Sequence, residues 1–133
     1  KASVGLDLKS EDGLAVARDL AANADVLIEN FRPGALDRLG LGYEALSAIN
    51  PGLIYCSEKG FLPGPYENRT ALDEVAQMMG GLAYMTGPPG RPLRAGASVI
   101  DVTGGMFGVV AILAALMVGG IMLVKRAQKA SAA

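Results

Sequence analysis

One carboxylate, Asp101, stands directly before a long apolar stretch, and a glycine pair, Gly104 and Gly105, follows it closely. An ionised acid at the start of a buried helix loses its hydration, so something must hold it there. Three roles are open for Asp101 on this pattern alone. It caps the helix, it flanks a membrane segment, or it is a working carboxylate.

The first two roles have simple structural explanations. Aspartate is a common N-cap residue, because its side chain accepts hydrogen bonds from free backbone N–H groups. Residues 102–124 carry no charge and are followed by Lys125 and Arg126. A membrane span needs about 20 apolar residues and is often flanked by basic residues on the cytoplasmic side. A membrane helix is therefore an alternative, although we favour a buried helix of a soluble fold.

The composition narrows the chemistry that the chain can perform. There is no histidine, which excludes histidine-based catalytic triads within this chain and most catalytic zinc sites, so we expect no metal centre. The net charge is -1, and nothing indicates a nucleic-acid partner. Cys56 is the only cysteine and cannot form an internal disulfide. This usage suits a reducing compartment, and no signal peptide opens the chain, so we expect a cytoplasmic protein.

The elements around Asp101 follow an alternating order. Apolar patterns predict strands at residues 3–8, 25–29 and 53–57, a helix after a Ser10 N-cap, and short helices at residues 35–39 and 43–49. Strands that alternate with helices indicate a parallel sheet. The predicted fold is therefore α/β, a Rossmann-like parallel sheet with flanking helices that ends in a long apolar helix.

A further helix is predicted at residues 70–82, where Thr70 and Asp73 resemble a capping box. Ligands of parallel sheets bind beyond the carboxyl ends of the strands. The segments that follow the carboxyl ends of the predicted strands are residues 9–10, 30–34 and 58–60. They carry two lysines, Arg32 and backbone N–H groups that glycine leaves accessible. They suit a phosphate-bearing ligand, although no Gly-x-Gly-x-x-Gly or P-loop motif is present.

Short motifs along residues 1–117 have a characteristic order and spacing. They include Leu6-Asp-Leu-Lys9, Val26-Leu-Ile-Glu-Asn-Phe-Arg-Pro-Gly34, Ile49-Asn-Pro-Gly-Leu-Ile-Tyr55, Gly64-Pro-Tyr66 and Asp101-Val-Thr-Gly-Gly-Met-Phe107. Together they resemble the family III CoA-transferases, a group that includes formyl-CoA transferase, the carnitine CoA-transferases and, as relatives, the α-methylacyl-CoA racemases.

The resemblance implies roles for several residues. It makes Asp101 the nucleophile that takes CoA from an acyl-CoA donor and passes it to a carboxylic acid, with no tightly bound cofactor. Gly104 and Gly105 would let the acyl-CoA approach the backbone, and Asp73 would orient a substrate. The resemblance also implies a set of contacts with CoA, namely Leu6, Lys9, Asn30, Phe31, Arg38 and Leu39.

The racemase relatives carry a His-Asp pair where this chain has Leu72 and Asp73. Without that histidine, two-base proton exchange at an α-carbon is disfavoured, and we expect transfer rather than racemisation. Residues 58–66, 70–74 and 82–87 resemble the family members that act on C4–C5 dicarboxylates, so the resemblance favours such substrates. Their second carboxylate could be held by arginines in the nearby loops, Arg69, Arg91 and Arg94.

The resemblance also defines what is missing. The family's amino-terminal strand, its second domain and a later glycine-rich loop have no counterpart in this sequence. We therefore expect residues 1–117 to form a partial large domain and the chain to be a fragment that is inactive alone. The family implies a homodimer for the complete protein. Residues 118–133 form an unmatched apolar and basic tail, which keeps open the alternative of a non-catalytic or membrane-anchored remnant.

Overall fold

The computed structural model describes residues 1–131, although not the side chains of residue 121 and residues 123–131. Strands and helices alternate through the first half of the chain, and helices make up the second half. The elements are α1 (Glu11–Ala22), β1 (Val26–Glu29), α2 (Ala35–Arg38), α3 (Tyr43–Ile49), β2 (Ile54–Ser57), α4 (Asp73–Met79), α5 (Leu82–Thr86) and α6 (Val99–Ser131).

The sheet of the described residues consists of β1 and β2, which pair in parallel with Val26 opposite Ile54 and Glu29 opposite Ser57. Helices α2 and α3 form the crossover between the two strands, as parallel pairing requires. The predicted α/β class, with a parallel sheet, flanking helices and a final long apolar helix, is confirmed. The carboxyl ends of both strands open on the same side.

The strand predicted at residues 3–8 is wrong, because this segment is irregular. Ser10 N donates to Asp7 O at 3.1 Å, and Lys9 N donates to the Asp7 side chain at 2.9 Å. These bonds bend the chain into a turn that leads to α1, where Ser10 Oγ caps Gly13 N as expected. Within residues 1–131, no strand lies beside Val4, Leu6 and Leu8 with which they could pair, so their alternation does not produce a strand.

The core is small and lies between α1, α2, α3 and the start of β2. Its buried apolar residues are Ala21, Leu36, Leu41, Leu46 and Leu53. Leu46 has no exposed surface at all. Burial of these side chains is the main force that fixes the crossover helices against the sheet.

Asn50 joins the end of α1 to the end of α3. Its Nδ2 donates to Ala21 O at 3.1 Å and to Ala24 O at 2.8 Å, and its Oδ1 accepts from Gly52 N at 3.2 Å. The last carbonyl groups of a helix have no partner within the helix. The Asn50 side chain, 29 residues away in sequence, supplies a partner for the Ala21 carbonyl of α1.

The single helix predicted at residues 70–82 is divided in two. Helix α4 begins at Asp73, and Gly81 at φ +85° separates it from α5. The predicted capping box is also wrong, because the N-cap position belongs to Leu72 and no side chain caps the helix. Thr70 lies before the helix, while the Asp73 carboxylate turns toward α6.

Helix α6 contains 33 residues. Its segment Val99–Gly120 has a mean hydropathy of 2.1, is long and apolar enough to cross a membrane, and is 0% buried. At about 1.5 Å per residue, this segment is about 33 Å long. Asp101 lies in the first turn of α6 and is therefore not its N-cap residue. Residues 132–133 of the predicted tail lie outside the described residues.

Candidate active site

A cleft of about 500 Å³ lies where the carboxyl ends of β1 and β2 face the first turns of α4 and α6. Its lining comprises Asn30, Phe31, Arg32, Pro33, Glu58, Lys59, Gly60, Arg69, Thr70, Ala71, Leu72, Asp73, Ala76, Ile100, Asp101 and Gly104. The cleft therefore brings together Asn30, Phe31, Asp73, Asp101 and Gly104, and with them three cationic residues that the sequence also indicated, namely Arg32, Lys59 and Arg69.

Asp101 presents a solvent-exposed carboxylate at this cleft from the first turn of α6. The backbone is fixed here, because Asp101 N donates to Asp73 Oδ1 at 3.2 Å. Gly104, one turn further along, also lines the cleft, and a Cβ added there would meet nothing within 4 Å. Open space beside an exposed carboxylate is suited to a reactant that must come within bonding distance of it.

Two other glycines allow the walls of the cleft to approach one another. A Cβ at Gly60 would collide with the Cβ of Ala71, and a Cβ at Gly108 would lie 2.8 Å from Glu58 Oε1. Gly60 therefore lets the segment after β2 pack against the segment before α4. Gly108 lets α6 pack against the end of β2.

An ion pair between the buried Glu29 and the partly exposed Lys59 fixes the loop that follows β1. Lys59 Nζ lies 2.7 Å from Glu29 Oε1 and donates to Phe31 O at 2.6 Å, while Glu29 Oε2 accepts from Phe31 N at 2.8 Å. Ser57 Oγ also donates to Glu29. Both the N–H and the carbonyl group of Phe31 are thus hydrogen-bonded, to Glu29 and to Lys59, and these bonds hold the loop with Asn30 and Phe31 beside the end of β2.

The pKa of Glu29 shows how this network is balanced. Burial opposes the charge of Glu29, but hydrogen bonds from Lys59, Ser57 and Phe31 outweigh it and lower the pKa. Lys59 is one of the two lysines that the sequence places beside a phosphate-bearing ligand. It lines the cleft, and its amino group also contacts Glu29 and the Phe31 carbonyl, so its contact with a phosphate stays a prediction.

Asp73 lies at the inner wall of the cleft and is only 6% exposed. Its Oδ1 accepts from Ile100 N at 2.8 Å and from Asp101 N at 3.2 Å, and its Oδ2 accepts from Gln77 Nε2. Burial opposes its charge, but these bonds and the nearby Arg94 outweigh burial and lower the pKa of Asp73. Asp73 is therefore an ionised group whose two oxygens are both occupied by the protein.

Sequence reasoning missed Gln77. Its side chain is fully buried, accepts from Ala95 N at 2.6 Å and donates to Ala97 O at 3.3 Å. The signal was present, because a glutamine four residues after Asp73 occupies the same helix face. Glu29 was also missed as a site residue, although it is the last residue of β1 and directly precedes Asn30.

The remaining predicted ligand contacts lie outside the Asp101 cleft. Lys9 and Arg38 are exposed, and Leu6 and Leu39 are half-buried. Leu39 packs against the core. Gly105 does not line the cleft, although a Cβ there would also meet open space. These positions stay predictions as CoA contacts.

A second cavity, of about 430 Å³, lies beyond the Glu29–Lys59 pair. It shares Arg32 and Lys59 with the cleft and is otherwise lined by Glu29, Gly34, Leu36, Asp37, Tyr43, Tyr55 and Ser57. Burial, together with the charges of Glu29 and Asp37, raises the pKa of Tyr55 to about 12. Tyr55 therefore keeps its proton, and its hydroxyl donates to Leu41 O at 3.4 Å.

The loop arginines have different surroundings. Arg94 lies 3.8 Å from Asp73 and 3.7 Å from Glu74, so it already faces two carboxylates of the protein. Arg69 lines the cleft and stacks 4.9 Å above the ring of Tyr66. Of the three arginines proposed to hold a second substrate carboxylate, Arg69 is the one placed in the cleft.

The description of the matching family model is CoA-transferase family III, and the match extends over residues 1–119. The chain belongs to this family. It is 45% identical over 119 residues to a succinate–glutarate CoA-transferase from Agrobacterium fabrum, covering 88% of this chain and 30% of the relative. It is 46% identical to an acetyl-CoA:oxalate CoA-transferase from Acetobacter aceti, covering 87% of this chain and 31% of that protein.

A similar solved structure is that of a CAIB/BAIF family protein from Brucella suis. It has a TM-score of 0.87 and 44% identity, and the match covers 92% of this chain and 33% of that one. The chain thus spans about 30% of the length of the curated relatives it matches. Because the family match extends to residue 119, it includes most of the apolar segment of α6.

Proposed function

We propose that the full-length protein is an enzyme that transfers CoA from an acyl-CoA donor to a free carboxylic acid, with Asp101 as the nucleophile. The observation that carries this proposal is the exposed Asp101 carboxylate in a cleft shared with Asn30 and Phe31. Membership of the family supplies the reaction class. CoA and its thioesters are substrates here, and the proposal requires no tightly bound cofactor.

The proposed chemistry has four balanced steps. Asp101 attacks the donor thioester carbonyl, the C–S bond breaks, and a mixed anhydride and CoA thiolate form. The thiolate attacks the Asp101 carbonyl and releases the donor acid, which leaves an aspartyl-CoA thioester. The acceptor carboxylate attacks that thioester and releases the thiolate again, forming a second anhydride. The thiolate then attacks the acceptor carbonyl and frees Asp101.

This sequence suits a site without histidine. Carboxylate and thiolate are nucleophiles in their ionised forms, so no strong base is needed to activate them. The site must instead exclude water, which would hydrolyse the anhydride. We propose that the rest of the full-length protein covers the cleft and the exposed apolar surface of α6.

We propose a C4–C5 dicarboxylate as one substrate. The relative from Agrobacterium fabrum is named for succinate and glutarate. In this chain Arg69 lines the cleft that contains Asp101, which supports a role in holding the distal carboxylate of such a substrate. The complete protein is proposed to be a homodimer in the cytoplasm, where the unpaired Cys56 stays reduced.

A covalent trapping experiment tests the function. The full-length protein is incubated with succinyl-CoA and hydroxylamine, and peptide mass measurement is used to look for a hydroxamate on Asp101. We expect the adduct in the wild type and in Asp12→Asn, an exposed acid on α1 that serves as a control. We expect none in Asp101→Asn. Turnover retained by Asp101→Asn would exclude Asp101 as the nucleophile.

A membrane-anchored remnant without catalytic activity is the second candidate. It is favoured by the Val99–Gly120 segment, which has a mean hydropathy of 2.1 and is 0% buried. Against it, the match to the family continues to residue 119. Alkaline extraction of membranes separates the two candidates. A spanning helix would keep the protein in the pellet, and complete release would reject the span.

A further inference from the structure

We propose that Asp73, supported by Gln77, is a positioning residue that sets the orientation of the Asp101 nucleophile. This inference rests on the proposed function of Asp101. It differs from the expectation that Asp73 orients a substrate, because the structure gives both Asp73 oxygens to protein donors.

The first turn of α6 shows why Asp73 is needed. The initial N–H groups of a helix have no partner within the helix. Val99 N donates to Ala97 O at 2.9 Å, and Val102 N donates to Ser98 O at 3.0 Å. The two N–H groups between them, those of Ile100 and Asp101, both donate to Asp73 Oδ1. A carboxylate on α4 therefore completes the hydrogen bonding of this turn from a distance of 27 residues in sequence.

Gln77 extends this contact to the loop that precedes α6. Its Oε1 accepts from Ala95 N at 2.6 Å, and its Nε2 donates both to Ala97 O, at 3.3 Å, and to Asp73 Oδ2. Asp73 and Gln77 are four residues apart on α4 and thus share one face of that helix. Together they fix the chain on both sides of Ser98, which leaves the backbone of Asp101 little freedom to tilt.

The charges at this contact are complementary. The start of a helix carries a partial positive charge that favours an anion. Asp73 supplies that anion, and Arg94, 3.8 Å away, partly balances it. The N–H groups of Ile100 and Asp101 are consequently occupied, so a substrate anion in the cleft has to bind elsewhere.

The consequence for catalysis is a selective loss of rate. A nucleophile must lie within about 3–3.5 Å of the carbon it attacks, and displacement by about 1 Å can lower a rate about 100-fold. Removal of Asp73 allows the first turn of α6 to move, but it removes no proposed contact with CoA. We therefore expect a lower kcat with an almost unchanged KM for the acyl-CoA donor.

Steady-state kinetics of the full-length protein test whether kcat falls while the donor KM stays almost unchanged. In Asp73→Ala we expect kcat to fall about 100-fold, with the donor KM within about threefold of wild type. Asp73→Asn keeps one oxygen that can accept from both N–H groups, so we expect partial rescue, on the order of a tenfold loss. Glu74→Gln is the control, because it changes the neighbouring acid of α4, which contacts Arg94 but not α6.

Amide hydrogen exchange provides a readout that does not depend on activity. We expect the Ile100 and Asp101 amides to be protected in wild type and in Glu74→Gln, and to exchange faster in Asp73→Ala. If Asp73→Ala fails to fold, Asp73→Asn and the protection of the wild-type amides decide the question. Unprotected wild-type amides would overturn the proposal.

The two proposals can fail separately. If the wild type forms no Asp101 adduct, the proposed function fails, while amide exchange still reports whether Asp73 holds the first turn of α6. If the adduct forms but Asp73→Ala turns over within about twofold of wild type, the positioning role is rejected and the function stands. A raised donor KM at unchanged kcat would indicate that Asp73 contacts the substrate instead.

Discussion

The contact between Glu29 and Lys59 is predicted to stabilise the folded protein by an amount that can be measured. Lys59 Nζ lies 2.7 Å from Glu29 Oε1, and the two side chains are 24% and 5% exposed. The perturbation is a double-mutant cycle of Glu29→Gln, Lys59→Met and the double variant. Both substitutions remove the charge of the side chain and leave its size nearly unchanged.

The burial of the Glu29–Lys59 pair determines how large its coupling free energy should be. Exposed pairs contribute about 0.2–1 kcal/mol, and breaking a buried pair costs about 3–5 kcal/mol. The Glu29 side chain is buried, but that of Lys59 reaches solvent, so the pair lies between these limits. We expect a coupling free energy of about 2 kcal/mol in the cycle.

Urea unfolding of the full-length protein measures the coupling, and the chain provides a matched control. Arg94 and Glu74 lie 3.7 Å apart with side chains 46% and 45% exposed, so their cycle should give less than about 1 kcal/mol. The reasoning fails if the Glu29–Lys59 coupling does not exceed that of the control. It also fails if either single variant is as stable as wild type.

Two further predictions concern the core and the pH dependence of stability. Leu46→Ala removes a fully buried side chain from the core and should lower the free energy of unfolding by about 3 kcal/mol, measured by urea unfolding with exposed Leu62→Ala as control. The folded-state pKa of Asp73 lies below the ordinary 3.8, so its ionised form adds stability above that pH, and this stability is lost as the pH falls through the lowered pKa. Thermal unfolding from pH 7 downward should show wild type and Asp73→Asn converging in acid, and a constant difference would contradict the assignment.

Local patterns predicted the elements whose signal is carried by residues close in sequence. The Ser10 cap, the strand that ends at Glu29 and helix Tyr43–Ile49 all agree with the structure. Each is encoded by residues within a few positions of one another. The strand predicted at residues 3–8 failed because alternation specifies a face but cannot supply a neighbouring strand.

In the candidate site, too, features encoded by neighbouring residues were predicted, and contacts between distant residues were not. Asn30, Phe31 and Asp101 were recognised through motifs, and the cleft brings them together. The contacts that hold them in place were not predicted. Glu29 does end a strand, but its ion pair with Lys59 does not follow from that, and Asp73 fits neither the predicted capping box nor a free substrate-orienting acid. Their partners on other segments of the chain, Lys59 for Glu29 and Ile100 and Asp101 for Asp73, lie 27–30 residues away, a distance that no local pattern encodes.

The hydrogen bonds that distant side chains make to helix ends affect how these ends unfold locally. Asn50 donates to the last turn of α1, and Asp73 completes the start of α6, each from more than 25 residues away. Closing such long loops costs entropy, so these ends become fixed only after the chain has collapsed. Helix ends usually fray independently of the rest of a protein. Here the turn that carries Asp101 can open only when α4 and α6 separate, so its local motion belongs to a larger cooperative unit.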